Sequence, residues 1–152
     1  MITASKPLLL SLRPQYAELV FKGLKTAELR RKISSHVKNR DVYVYVSSPV
    51  MELRGGFRVG EVWADSPQNI WEMVSGIAGI DRQTFDEYYK GTKVAYALEI
   101  TEVWEYRRGL SLGKLREKFE SFVVPQSYRY LTAQELRSIP RLKKTPFKKL
   151  VA

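Results

Sequence analysis

The sequence predicts an α+β fold: a small β-barrel of five to six strands with short helices packed outside it. Three observations point there. Apolar residues repeat with period two in several separate stretches, the mark of strands. Between them lie short segments with apolar residues three and four apart, the mark of amphipathic helices. Glycine and proline mark several of the junctions between them.

The elements follow in order. Leu8 to Leu12 is a short apolar run, as expected of a strand buried on both faces. Pro14 suits the first turn of a helix, where its missing N–H has no partner to lose. Ala17, Val20, Phe21 and Leu24 form one apolar helical face, and Glu18 and Lys22 are an i,i+4 ion pair on the other. Gly23 ends this helix, where a left-handed residue is usually needed. From Lys25 the period changes to two, with Ala27 and Leu29 on one face and Thr26, Glu28 and Arg30 on the other. Alternation puts Lys25 on the face opposite Thr26.

Val42 to Val46 alternates valine with tyrosine and reads as a central barrel strand. Gly55-Gly56 makes a turn or bulge before a strand over Phe57 to Ala64, in which Phe57, Val59, Glu61 and Trp63 share one face. Pro67 opens a helix to about Val74, and Gly76 to Gly79 breaks it. Asp81 caps a further helix through about Tyr89. Val94, Tyr96, Leu98 and Ile100 then alternate along a strand, with Ala95, Ala97 and Glu99 opposite. Leu112, Leu115, Phe119 and Phe122 mark a short helix, and Ser127 to Leu131 a last strand. Thr132 and Glu135 form a capping-box pattern, while Pro140 and Pro146 prevent one continuous terminal helix.

At 152 residues, 44% hydrophobic and 12% aromatic, the chain is long and apolar enough for one cored domain and excludes a disordered polymer. No apolar run approaches the ~20 residues of a membrane span. The N-terminus has no signal-peptide pattern. Zero cysteines remove disulfides, thiolate metal sites and a cysteine nucleophile, and a cytoplasmic location is the simplest expectation. One histidine, His36, makes a metal site an unpromising reading, and no cofactor is expected.

The net charge of +10 is unevenly placed. Residues 136–152 hold Arg137, Arg141, Lys143, Lys144, Lys148 and Lys149 and no acid, so they read as a basic C-terminal extension to a domain over 1–135. Residues 22–40 hold seven basic side chains against Glu28 alone. Such blocks are a footprint of nucleic-acid binding, with a merely solvated surface as the plain alternative. The charge pattern does not distinguish RNA from DNA, and the oligomeric state is not written in the sequence.

Charged residues inside a strand that follows a glycine turn are unusual and suit a cleft. Lys25 and Arg30 are candidates to hold phosphate or base edges, with Glu28 orienting them and Arg31 and Lys32 beside them; a surface ion pair is the plain alternative. Glu61 and Glu99 are mid-strand carboxylates that need a partner, a proton or a solvated cavity. Ser48, with Ser47 and Pro49, offers a hydroxyl at a strand end, or an ordinary turn. Tyr128 is the aromatic chosen to stack on a base, although strand aromatics more often fill a core. Arg141, Lys143, Lys144, Lys148 and Lys149 are candidate phosphate contacts.

Gly23-x-Lys25-x-x-Glu28-x-Arg30, preceded by Ser11-Leu-Arg-Pro-Gln-Tyr16 and a helix, resembles the GxKxxExR signature of ASCH domains, small barrels of the PUA-like superfamily. Val42 to Pro49, with its Ser-Pro corner, Val59 to Val62, Ala95 to Val103 and Pro125 to Leu131 are similar to family segments in the same order. The resemblance spans roughly residues 7 to 132. It implies a PUA-like barrel and an RNA-binding domain that recognises a nucleotide in a polar cleft beside the first helix; a regulatory module acting through a protein partner is a separate option on which the sequence is silent. The alternative it implies is a small hydrolase: an amidohydrolase on acylated cytidine-type nucleosides, or a ribonuclease. For the amidohydrolase members the catalytic Lys matches Lys25, the Glu matches Glu99, and Glu28 stands where those members carry Thr.

Overall fold

The structure, a computed structural model, describes residues 6–145 in full and the backbone of 147–149. Lys148 and Lys149 therefore have side chains outside the described residues. The strands are β1 (Leu8–Leu12), β2 (Ala27–Arg30), β3 (Asp41–Val46), β4 (Glu52–Asp65), β5 (Ala95–Ser111), β6 (Tyr128–Tyr130) and β7 (Phe147–Lys149). The α-helices are α1 (Pro14–Phe21), α2 (Pro67–Val74), α3 (Arg82–Tyr88), α4 (Leu112–Lys118) and α5 (Ala133–Ser138). The sheet runs β2-β5-β4-β3-β1-β6 and curls into a half-barrel, with β7 a short addition along β5. Among the described residues, only β1 and β3 pair in parallel, Leu8 opposite Val42. The α+β fold expected from the sequence is the one that forms, its barrel open as a half-barrel.

Alternation along the central strands separates two cores. Val42, Val44 and Val46 face the barrel interior with Leu8, Leu10, Phe57, Val59, Leu98 and Ile100, closed at one end by Ala17, Val20 and Phe21 of α1. Tyr43 and Tyr45 face outward, under Leu115, Phe119, Ile139 and Leu142. A third cluster packs Ala27, Leu29, Ala95 and Ala97 beneath Ile70 and Val74 of α2 and Phe85 of α3. Each large side chain buried this way contributes about 1.5–3 kcal/mol. Gly55 and Gly56 lie inside β4 at a bulge rather than at a strand boundary. A Cβ on Gly55 would sit 2.1 Å from the Trp104 carbonyl oxygen, and one on Gly56 2.1 Å from that of Val42, so the neighbouring strands approach too closely for a side chain.

A second bulge re-aims Glu61. Val59 pairs with Ile100 and Val62 with Leu98, so Gly60 and Glu61 together oppose Glu99. The extra residue breaks the alternation that would have set Glu61 beside Phe57 and Val59. Glu61 turns to solvent and pairs with Lys38 at 3.0 Å. Its backbone N–H donates to the Glu99 carboxylate at 3.0 Å. The capping box at Thr132 forms as the sequence predicts, with both reciprocal hydrogen bonds present.

The curled sheet does not close. β2 and β6 are its two edges, and the gap between them is where the motif residues gather.

Candidate functional site

The loop from Gly23 to Thr26 is held at both ends by backbone hydrogen bonds. Gly23 adopts φ 75° after α1, and the N–H groups of Leu24 and Lys25 both donate to Leu19 O, at 2.9 and 3.1 Å. The N–H groups of Thr26 and Ala27 donate to Ile77 O at 2.9 and 3.2 Å. Strand alternation therefore starts only at Ala27, and Lys25 swings to the same side as Glu28 instead of the opposite one. Gly79, at φ +66°, leaves room for it: a Cβ there would lie 3.0 Å from Leu19 Cδ1 and 3.4 Å from Lys25 Cβ.

Lys25 is 3% exposed. Its Nζ donates to the Ala78 carbonyl, stands 3.7 Å from Glu28 Oε1, and lies 5.5 Å from the centre of the Tyr16 ring. Burial disfavours the charged amine and holds its pKa below the ordinary lysine range, against the opposing pull of the Glu28 charge. Glu28 Oε2 accepts from Arg30 Nη1 at 3.2 Å, and Arg30 Nη2 donates to Ser127 Oγ. The chain Lys25–Glu28–Arg30–Ser127 thus spans the gap between the two sheet edges. Tyr88 donates from its hydroxyl to Leu29 O at 3.2 Å, and burial raises its phenol pKa.

These groups line a cleft of about 710 Å³. α1 contributes Tyr16, the residue before it Arg13, and β2 with its extension Glu28, Arg30, Arg31 and Lys32. Thr84 and Tyr88 of α3 and the Val124–Ser127 segment complete the walls. Glu28 is the lone carboxylate among five cationic lining residues. Such a cleft attracts an anion, offers a guanidinium for bidentate contact, and presents two tyrosines that can flank a planar group. The buried amine is a base or nucleophile that is uncharged at a lower pH than a surface lysine. Among the described residues, no cluster of three His, Cys, Asp or Glu is placed to hold a metal ion.

Of the residues singled out in the sequence, Lys25, Glu28, Arg30, Arg31 and Lys32 come together here. Ser48 is exposed in the turn after β3, and Ser47 takes the place at the cleft. Tyr128 packs against the barrel core. Glu99 sits opposite Ala27, on the sheet face away from Glu28 and Arg30, and Glu61 stays with Lys38 at the bulge. Arg141, Lys143 and Lys144 are exposed and do not line the cleft. Sequence reasoning missed Arg13, Tyr16, Thr84, Tyr88 and Ser127. Ser127 carried a signal, since it lies in the Pro125 to Leu131 segment; Tyr88, on a helix 58 positions beyond the cleft's Arg30, carried none.

Comparison with known proteins converges on one family. The family model for the ASCH domain matches residues 10–124. The chain is 26% identical over 137 residues to an ASCH domain-containing ribonuclease of Zymomonas mobilis, covering 90% of this chain and 92% of the relative. A crystal structure of ASCH from Zymomonas mobilis superposes with a TM-score of 0.81 at 26% identity, over 87% of this chain and 92% of that one. Large ribosomal subunit protein uL22 of Ureaplasma parvum serovar 3 is also 26% identical, over 127 residues that make up 84% of this chain but 40% of that protein. No helix among the described residues is long and apolar enough to cross a membrane.

Proposed function

Because the chain belongs to the ASCH domain family, we propose that the cleft binds a nucleotide of single-stranded RNA and that Lys25 promotes cleavage of the strand there. One observation carries this reading: a lysine amine 3% exposed, with its pKa lowered by burial, at the floor of a cleft walled by cations. Perturbed lysines in clefts are characteristic of proton-transfer sites. The relative of similar length named as a ribonuclease supports RNA as the substrate class, and the match to part of a ribosomal protein is consistent with it.

The chemistry follows from the contacts. The neutral Lys25 amine takes the proton from the attacking ribose 2′-hydroxyl as its oxygen bonds to phosphorus. The P–O bond to the 5′ oxygen of the next nucleotide breaks, and that oxygen leaves with the proton returned by the lysine ammonium. Arg13, Arg31 and Lys32 at the rim hold the phosphate charge, and Tyr16 and Tyr88 flank the base. Glu28 keeps Lys25 and Arg30 in place and restrains how far the lysine pKa falls. In this reading the carboxylate partner of Lys25 is Glu28 rather than Glu99.

The test uses a labelled single-stranded RNA and its DNA equivalent, with wild type and Lys25→Ala. Cleavage of RNA by wild type, lost in a folded Lys25→Ala that still binds, supports the proposal. Salt-sensitive RNA binding with no turnover, collapsing in Lys25→Ala, leaves the cleft as a binding module. Equal binding and equal turnover by both proteins sinks the assignment of Lys25.

A further inference from the structure

The first 106 residues hold fourteen basic and thirteen acidic side chains, whereas residues 107–144 hold ten basic and three acidic. Nearly all of the net charge therefore resides in the last third of the chain. That third is not a loose polycation. α4, α5 and a 3-10 turn at Leu142–Lys144 form a layer over the outer face of the sheet, anchored by Leu115, Phe119, Ile139 and Leu142 against Tyr43, Tyr45 and Trp104. Leu142 is 1% exposed, and the Tyr106 hydroxyl donates to Pro140 O at 2.5 Å. β7 then pairs with β5, Phe147 opposite Trp104.

With its apolar side facing the sheet, the layer turns its cations outward. Arg116, Arg137, Arg141, Lys143 and Lys144 are all exposed, and none forms an ion pair among the described residues. Glu135, the acid within α5, is buried and held by Arg129, so it does not neutralise them. Burial raises the pKa of the Tyr43 and Tyr45 phenols, and the charges of Arg141 and Arg116, respectively, oppose that shift, so the two guanidiniums lie in the neighbourhood of these outward-facing residues of β3. The connection between α4 and β6, residues 119–127, ends in Val124–Ser127, which is one wall of the cleft, and Val124 also packs against the core of the layer. The basic layer is thus continuous with the cleft without contributing to its lining.

We propose that this layer is a second, preformed phosphate-binding surface, which holds the RNA strand beyond the nucleotide seated in the cleft. It rests on the RNA reading of the cleft and adds a division of labour. The cleft recognises and reacts, and the layer supplies sequence-independent affinity for long strands. Free nucleosides and very short oligonucleotides do not reach it.

The experiment compares a labelled 20-nucleotide RNA with a dinucleotide over a salt titration, using wild type and Arg141→Gln/Lys143→Gln/Lys144→Gln. Leu142 is kept, so the anchor is untouched. Three lost contacts should make the plot of log affinity against log salt shallower by about 2 for the 20-mer, at about 0.7 per single-strand phosphate contact. Dinucleotide affinity and the melting temperature should not change. A 20-mer slope unchanged in the triple variant overturns the layer alone, as does tighter binding of the layer to phosphatidylglycerol vesicles than to RNA. The cleft reading fails separately, if wild type holds no dinucleotide; the layer as a continuation of that cleft then falls with it.

Discussion

Glu28→Gln is the substitution whose consequence the geometry defines best. Glu28 is 5% exposed and bridges two buried cations, with Lys25 Nζ at 3.7 Å and Arg30 Nη1 at 3.2 Å. Neutralising it keeps the shape and leaves two positive groups facing each other out of water. Removing one partner of a buried ion pair costs about 3–5 kcal/mol, because the remaining charge keeps its desolvation penalty. In a domain of this size about 2–4 °C of melting temperature goes with each kcal/mol, so the expected fall is about 6–20 °C. Lys25→Met/Glu28→Gln removes one of the stranded cations and should recover part of that loss, with a coupling of about 1–3 kcal/mol. pH gives a second signature. Lys25 binds its proton more weakly folded than unfolded, so rising pH deprotonates it in the folded state first and relieves the repulsion. The deficit of Glu28→Gln should therefore narrow as pH rises toward the ordinary lysine range. Thermal and urea unfolding of the four proteins of the cycle measure all of this, with Glu18→Gln as a control at an exposed pair that should leave the melting temperature unmoved. A loss below about 1 kcal/mol for Glu28→Gln, the value of a surface pair, would refute the reasoning, as would a double variant no more stable than the single one.

The remaining predictions concern the cleft and its supports. If Lys25 acts as a neutral base, cleavage rises with pH until its depressed pKa is passed; in whatever fraction of Glu28→Gln remains folded, the rising limb of the pH–rate profile moves to lower pH, because Glu28 otherwise raises that pKa. Gly79→Ala forces a side chain into φ +66° and against Leu19 and Lys25, so urea midpoints should show a loss of about 1–3 kcal/mol. Glu135→Gln breaks the bidentate contact with Arg129, at 2.8 Å for each oxygen, and should cost about 1.5–3 kcal/mol at neutral pH. Burial alone would raise the Glu135 pKa, but Arg129 and the Thr132 N–H lower it overall. Its stabilisation is thus complete above the ordinary carboxylate range and lost as pH falls through the lowered pKa, and the difference from Glu135→Gln in urea midpoint should shrink on acidification.

Replacing a buried ion-pair network with apolar side chains of similar volume is often neutral or stabilising, so stability alone does not account for a buried lysine, glutamate and arginine. Their presence at the open seam of a sheet whose other interior positions are apolar is the reason to assign them to ligand chemistry rather than to architecture.

Much of the fold was legible because it is written in local periodicity. The doubly buried run Leu8–Leu12, the Pro14 start and Gly23 stop of α1, the two faces of β3 and the capping box at Thr132 each depend on residues within a few positions of one another. Lys25, Glu28 and Arg30 were visible for the same reason, as charges where a strand should be apolar. What lies beyond a local pattern was decided only by the tertiary structure. The two-for-one opposition of Gly60 and Glu61 to Glu99 depends on how β4 meets β5, and it turned Glu61 away from the cleft. The release of Lys25 from strand alternation depends on hydrogen bonds from its loop to Leu19 and Ile77. Ser127 reaches Arg30 across 97 residues because curling brings the two edge strands together, and Tyr16 and Tyr88 join them from separate helices. Local sequence determines which residues a strand or helix can present. Only the closure of the sheet determines which of them meet, because that geometry arises from contacts between residues far apart in the chain.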